Sequence, residues 1–257
     1  MFNKQILSFG LAAALAVCAQ ASLAATITTT YGTSANFGAG PVGYQSGSIA
    51  PSPNGSGFTW VGVGGDTFTS ADHSFNFSAT GAFDAWCVDI YHWVSGSAVT
   101  YNVDVGGGDL AASLNSLRPG TPAGGVRVQS LVGLANDVYS TLHTQEDSAA
   151  FQLAVWAITY GYREGGEFVL NSTNGGFAVS GVSTGALNKA NGWLHNLALG
   201  VADTGNYQLT YLNDGTSDIT QDMVVFTSVP EPTTLGLLGL SLLGLGLMKR
   251  RKRILAA

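Results

Sequence analysis

Charged side chains are scarce in this 257-residue chain: Asp, Glu, Lys and Arg make up 10% of it, and Lys and Arg together number ten. Six of those ten stand at the ends, Lys4 and the run Lys249, Arg250, Arg251, Lys252 and Arg253, which leaves Arg118, Arg127, Arg163 and Lys189 for the whole stretch from Ala25 to Ser228. Fifteen acids oppose those four bases, a net charge of −11. A nucleic-acid binder neutralises phosphates with Lys and Arg, so no nucleic acid is expected as a partner. Cysteine is scarcer still, with Cys18 and Cys87 only. The four histidines, His73, His92, His143 and His195, show no metal-ligand spacing, so neither a metal nor another cofactor is expected.

Long apolar runs occur only at the two ends. Lys4, the apolar stretch "ILSFGLAAALAV" and the small residues around Ser22-Leu23-Ala24 read as a secretory signal peptide over 1–24, cleaved after Ala24 and carrying Cys18 away with it. At the other end Pro230, Glu231 and Pro232 precede an uncharged segment, 233–248, and then the basic cluster from Lys249. Sixteen residues of helix rise about 24 Å, less than the roughly 30 Å hydrocarbon core, so this transmembrane segment spans only where the bilayer thins. The basic tail 249–257 is expected to stay cytoplasmic and the body outside. Pro-Glu-Pro, a short Leu/Gly-rich segment and a terminal Arg/Lys cluster, taken together over 229–257, resemble the PEP-CTERM sorting signal of Gram-negative bacteria. The resemblance implies an exosortase as partner, anchoring in the inner membrane by the tail, processing near Pro230–Pro232, and release to the surface or medium of cells that make extracellular polysaccharide. An ordinary C-terminal membrane anchor is the alternative.

The remaining 25–228 is one extracytoplasmic domain with no repeat and no interdomain linker, rich in Gly, Ser, Thr, Asn and aromatic residues. Its expected fold is α+β and β-rich. Strand-like runs, "ATITTTYG", "GFTWVGV", "HSFNFSA", "AFDAWCVDIYHWV" and "AVTYNVDV", fill the N-terminal part. A helical middle follows, in "VRVQSLVGLANDVYSTLHT" and then in "AAFQLAVWAITYG", with Asp147 or Ser148 as cap and Gly161 as stop. A further helix runs from Thr184 to Gly200, and a C-terminal hairpin turns at Asn213, Asp214 and Gly215. The stretch from Gly38 to Gly57 reads as a surface loop.

Catalytic patterns are poor, and no enzyme activity is expected. "GVSTG", Gly181 to Gly185, fits a nucleophile elbow, but only His195 follows it and no acid lies between, so Ser183 or Thr184 reads better as a helix N-cap. Asp214, Asp218 and Asp222 read as a solvated hairpin rather than a calcium site.

Two residues are out of place. With Cys18 gone, Cys87 is a single thiol in an oxidising compartment, without an intramolecular disulfide partner. Gln152 sits inside an apolar helix, where an unpaired amide costs roughly 1–3 kcal/mol. A thiol and a buried amide are the two halves of an internal thioester: the sulfur attacks the amide carbon and ammonia leaves. The alternative is a structural pair, an inert buried thiol beside an amide bonded to backbone. "WCVD", Trp86 to Asp89, and "FQLAVW", Phe151 to Trp156, resemble the two motifs of the thioester domains of Gram-positive surface adhesins, with Phe151 where that family has Thr. The resemblance implies covalent capture of a surface amine or other nucleophile, with sulfur from Cys87, the acyl carbon from Gln152, and Trp86 and Trp156 as apolar cover. The other class of function is non-covalent binding or scaffolding in an extracellular polysaccharide matrix, with Trp60, Trp93 and Trp193 as faces for sugar rings.

Overall fold

The computed structural model describes residues 25–229, apart from 35, 38–39, 42–44, 51–58, 73–74, 76, 78–79, 118–121, 172–175, 201–205 and 216–219. The signal peptide 1–24 and the tail from Pro230, including the segment 233–248 expected to enter the membrane, lie outside the described residues. Among those described, no helix is long and apolar enough to cross a membrane.

The body is mixed helix and strand around a strand-rich core. The strands are β1 (Ala25–Ser34), β2 (Asn36–Phe37), β3 (Gly40–Pro41), β4 (Gln45–Ala50), β5 (Thr59–Val63), β6 (Asp66–Thr69), β7 (Ala82–Cys87), β8 (Val99–Val105), β9 (Arg163–Glu164), β10 (Glu167–Phe168), β11 (Ala178–Ser180), β12 (Tyr207–Asn213) and β13 (Met223–Ser228). The helices are α1 (Gly108–Leu117), α2 (Gly124–Val138), α3 (Gln145–Tyr160) and α4 (Thr184–Leu199).

Six strands close a barrel in the order β1-β6-β7-β13-β12-β8. Closure depends on β1, which pairs with β8 from Ala25 to Thr29 and with β6 from Thr30 to Ser34, with an irregularity between Tyr31 and Thr33 within the β6 pairing. Alternation then divides the side chains. Ile27, Phe68, Phe83, Ala85, Tyr101, Leu212, Met223 and Val225 fill the barrel, while Trp86, Leu209, Tyr211, Val224 and Phe226 point outward into the core shared with the helices. The second sheet, β11-β4-β5, lies on the far side of α3, so that α3 is enclosed and every residue from Asp147 to Tyr160 is buried.

Several details differ from expectation. Gln45–Ala50, expected in a loop, is the central strand β4, because Ile49 gives an otherwise small and polar segment one fully buried anchor. Within the expected strand His73–Ala79, Phe75 and Phe77 lie in a turn and a bend, with their rings stacked against the barrel core. Helix α1, not expected from the sequence, follows β8 after Gly106 and Gly107, both with positive φ. The cap of α3 is Thr144 rather than Asp147 or Ser148: its hydroxyl accepts from the Asp147 N–H while the Asp147 carboxylate accepts from the Thr144 N–H, a capping box. At its other end α3 stops at Gly161 as expected. There Arg127 of α2, 2% exposed, donates to the Ile158, Thr159 and Gly161 carbonyls that the helix leaves unpaired. Ser183 caps α4 through the Ala186 N–H, which accounts for the "GVSTG" stretch without a nucleophile.

Candidate functional site

Strand β7 ends at Cys87, where Met223 of β13 is its pairing partner on one side. On the other side no strand continues, and α3 passes instead. The backbone N–H and C=O of Cys87 need partners there, and Gln152 supplies both: its Oε1 accepts from the Cys87 N–H at 3.0 Å and its Nε2 donates to the Cys87 carbonyl at 2.8 Å. The odd amide of the apolar helix thus stands in for a missing strand, with no exposed surface.

The sulfur of Cys87 faces elsewhere. It lies 2.7 Å from Oε1 of Gln221 and 3.9 Å from Oδ2 of Asp66. Gln221, just before β13, is held at every polar group: its N–H donates to the Trp93 carbonyl, its carbonyl accepts from the Tyr101 hydroxyl, and its Nε2 donates to the Asp89 carbonyl at 2.7 Å. The amide carbon is one C=O bond, about 1.2 Å, from that oxygen, so the sulfur is within about 4 Å of it. Sequence reasoning passed over Gln221, which looks like an ordinary polar residue of a hairpin and meets Cys87 across 134 positions. It passed over Asp66 as well, a lone acid after two glycines.

The loop carrying Gln221 is fixed by the acids expected to be solvated. Asp222 accepts from the Tyr211 hydroxyl, the Asn213 amide and the Asp214 N–H, and Asp214 accepts from the Thr220 N–H. Burial pushes the Asp222 carboxyl up to about 6, and Asp214 is itself buried. Asp218 lies outside the described residues. No group of His, Cys, Asp and Glu able to hold a metal occurs among the described residues.

Cys87, Asp66 and Gln221 line one cavity of about 250 Å³, walled by Ile49, Val61 and Trp156 and bordered by Tyr31, His92 and Trp93. Burial pushes the Cys87 thiol well above its usual range, and the negative charges of Asp66 and Asp89 push the same way. Burial also raises the Asp66 carboxyl to about 7, against the lowering effect of hydrogen bonds from Tyr31 and Cys87. Of the two tryptophans expected as cover, Trp156 is in the cavity wall. Trp86 projects from the opposite face of β7 into the core, against Phe151 and Tyr139, and donates to the Tyr139 hydroxyl. Gly65 makes room for that ring, since a Cβ there would stand 2.9 Å from it. Phe151 is part of the same aromatic cluster. Among the aromatics considered for sugar binding, Trp93 is 51% exposed at the cavity border, Trp193 packs partly buried against the core, and the Trp60 side chain lies outside the described residues.

One comparison with known proteins is positive. Residues 228–252 match the PEP-CTERM protein-sorting motif, which contains Pro230, Glu231 and Pro232 and most of the basic run. The motif marks an exported protein, anchored in the membrane and then processed by an exosortase. No curated protein and no solved structure matches the chain.

Proposed function

We propose that the exported domain is a covalent attachment module, whose Cys87 forms an internal thioester and then passes the acyl group to a nucleophile of a surface or matrix partner. The observation that carries this reading is the sulfur lying within about 4 Å of an immobilised side-chain amide carbon, that of Gln221. Gln221 is therefore the acyl donor in this proposal. Gln152, matched to the adhesin motif, is the residue that holds the Cys87 backbone, although it is the other amide next to Cys87 and defines the competing pairing. The cavity supports the reading by its size. At about 250 Å³ it falls below the roughly 300–1,000 Å³ of pockets that enclose whole ligands, and it suits the tip of a partner's side chain. A surface amine fits that description, as does an amine borne by extracellular polysaccharide. The module acts once per chain, not as a turnover enzyme.

The exported chain, purified whole, should be lighter than its sequence by one ammonia, lack a titratable thiol after unfolding, and gain the mass of methylamine on exposure to it. Cys87→Ala and Gln221→Ala should each remove all three signs. Gln152→Ala should keep them in the molecules that fold. If Gln152→Ala removes them and Gln221→Ala does not, the bond joins Cys87 to Gln152. A wild-type chain of full mass with a free thiol leaves the non-covalent matrix role, for which exposed Trp93 is the surface to test.

A further inference from the structure

A buried thiol is a poor nucleophile because its proton has nowhere to go. Burial and two neighbouring carboxylates hold the Cys87 thiol protonated, and the thiolate is the form that attacks. The same difficulty returns when the thioester opens, since an attacking amine must lose a proton and the departing sulfur must gain one. A group fixed beside the sulfur serves both needs without waiting on a water molecule.

Asp66 lies where such a proton can be taken and returned. It opens β6, is 8% exposed, borders the same cavity as Cys87 and Gln221, and has Oδ2 3.9 Å from the sulfur. The groups around it are the Tyr31 hydroxyl from β1, which bonds to it, and the Cys87 thiol from β7. His92, beyond β7, borders the cavity, and Asp89 acts on the sulfur and is paired with His92. The Gln221 amide closes the remaining side.

We propose that Asp66 is the proton carrier of the thioester, acting as a general base and then a general acid in both its formation and its opening; this rests on the thioester reading above. In formation, the carboxylate takes the thiol proton as the S–C bond forms to the Gln221 amide carbon. It returns that proton to the departing nitrogen as the C–N bond breaks, and ammonia leaves. In opening, the amine nitrogen bonds to the same carbon and its proton passes to Asp66. The C–S bond breaks, and Asp66 protonates the sulfur to regenerate the thiol. No oxidant or further reactant is consumed. A carboxyl raised to about 7 is held near the midpoint of its titration at neutral pH, where one group can serve in both directions.

The test uses the whole exported chain with methoxyamine, an amine basic enough to attack yet largely unprotonated from about pH 6 to about pH 9, so that the profile reports the protein's group. For the wild type, the rate of thioester opening should rise with pH and level off near 7. Asp66→Asn, similar in shape, should lower the rate by about 100-fold and remove the inflection, and Asp66→Glu should restore part of both. An Asp66→Asn chain that folds but retains its Gln221 ammonia, with the thioester restored in Asp66→Glu, supports the proposal equally. A wild type that carries the thioester while Asp66→Asn forms and opens it at the wild-type rate, with the same pH profile, overturns the role of Asp66 and leaves the thioester standing. A wild type without a thioester overturns both.

Discussion

Asp66 and Asp222 lose water when the barrel closes, and burial raises their carboxyls to about 7 and about 6. A carboxyl raised in the folded state contributes stability that is fully present below its unfolded value of 3.8 and is lost as pH rises through the folded value. The domain should therefore become easier to unfold with urea as pH rises from about 4 to about 7, and Asp66→Asn should flatten that dependence. A stability that climbs across this window would contradict the burial assigned to these acids. Asp147 behaves oppositely. Loss of water acts to raise it, but the Lys189 ammonium, the Thr144 hydroxyl and the His143 N–H together lower it, so its contribution is lost only as pH falls below the ordinary carboxylate range. Gln152→Ala leaves the Cys87 N–H and C=O buried without their partners and should cost about 1–3 kcal/mol in chemical denaturation. Gln152 and Cys87 were legible in the sequence as an amide in an apolar helix and a thiol without a mate. Gln221 and Asp66 were not, because nothing local distinguishes a polar residue that the barrel later carries to a distant sulfur.

Helix α3 carries Gln152 to β7, so its two ends decide how firmly the Cys87 backbone is held. Thr144→Ala removes one half of the capping box and should cost about 1 kcal/mol. Arg127→Ala strips the donor from the last carbonyls of α3 and should cost more, about 3 kcal/mol or above, because those oxygens are buried with it. Equal and negligible losses for both variants in a denaturation series would show that α3 does not depend on its ends. The long apolar helix α3 and the β-branched and aromatic strands β8, β12 and β13 were readable because their own composition marks them. Strand β4 was not, since Gly, Ser and Gln surround its one apolar anchor, and neither was α1, whose opening glycines resemble a turn.

The whole molecule joins a barrel-and-helix body to a sorting motif at residues 228–252. Because residues 228–252 match the sorting motif, the mature protein from an exosortase-competent cell should lack Lys249, Arg250, Arg251, Lys252 and Arg253, as seen by top-down mass spectrometry. An intact basic tail on all exported protein would instead indicate a permanent anchor. Before processing, the body should be digested by protease added to spheroplasts. The sorting motif was legible from three short parts in order, whereas the body's chemistry depends on contacts over 65 and 134 positions that no short motif records. The most direct test of the central claim is to treat the exported protein with methylamine, digest it, and locate the adduct. The account predicts an N-methylated glutamine at position 221, with Gln152 unmodified and the Cys87 thiol newly free. An adduct at 152, or no adduct on any glutamine while Cys87 is already a thiol before treatment, would contradict it.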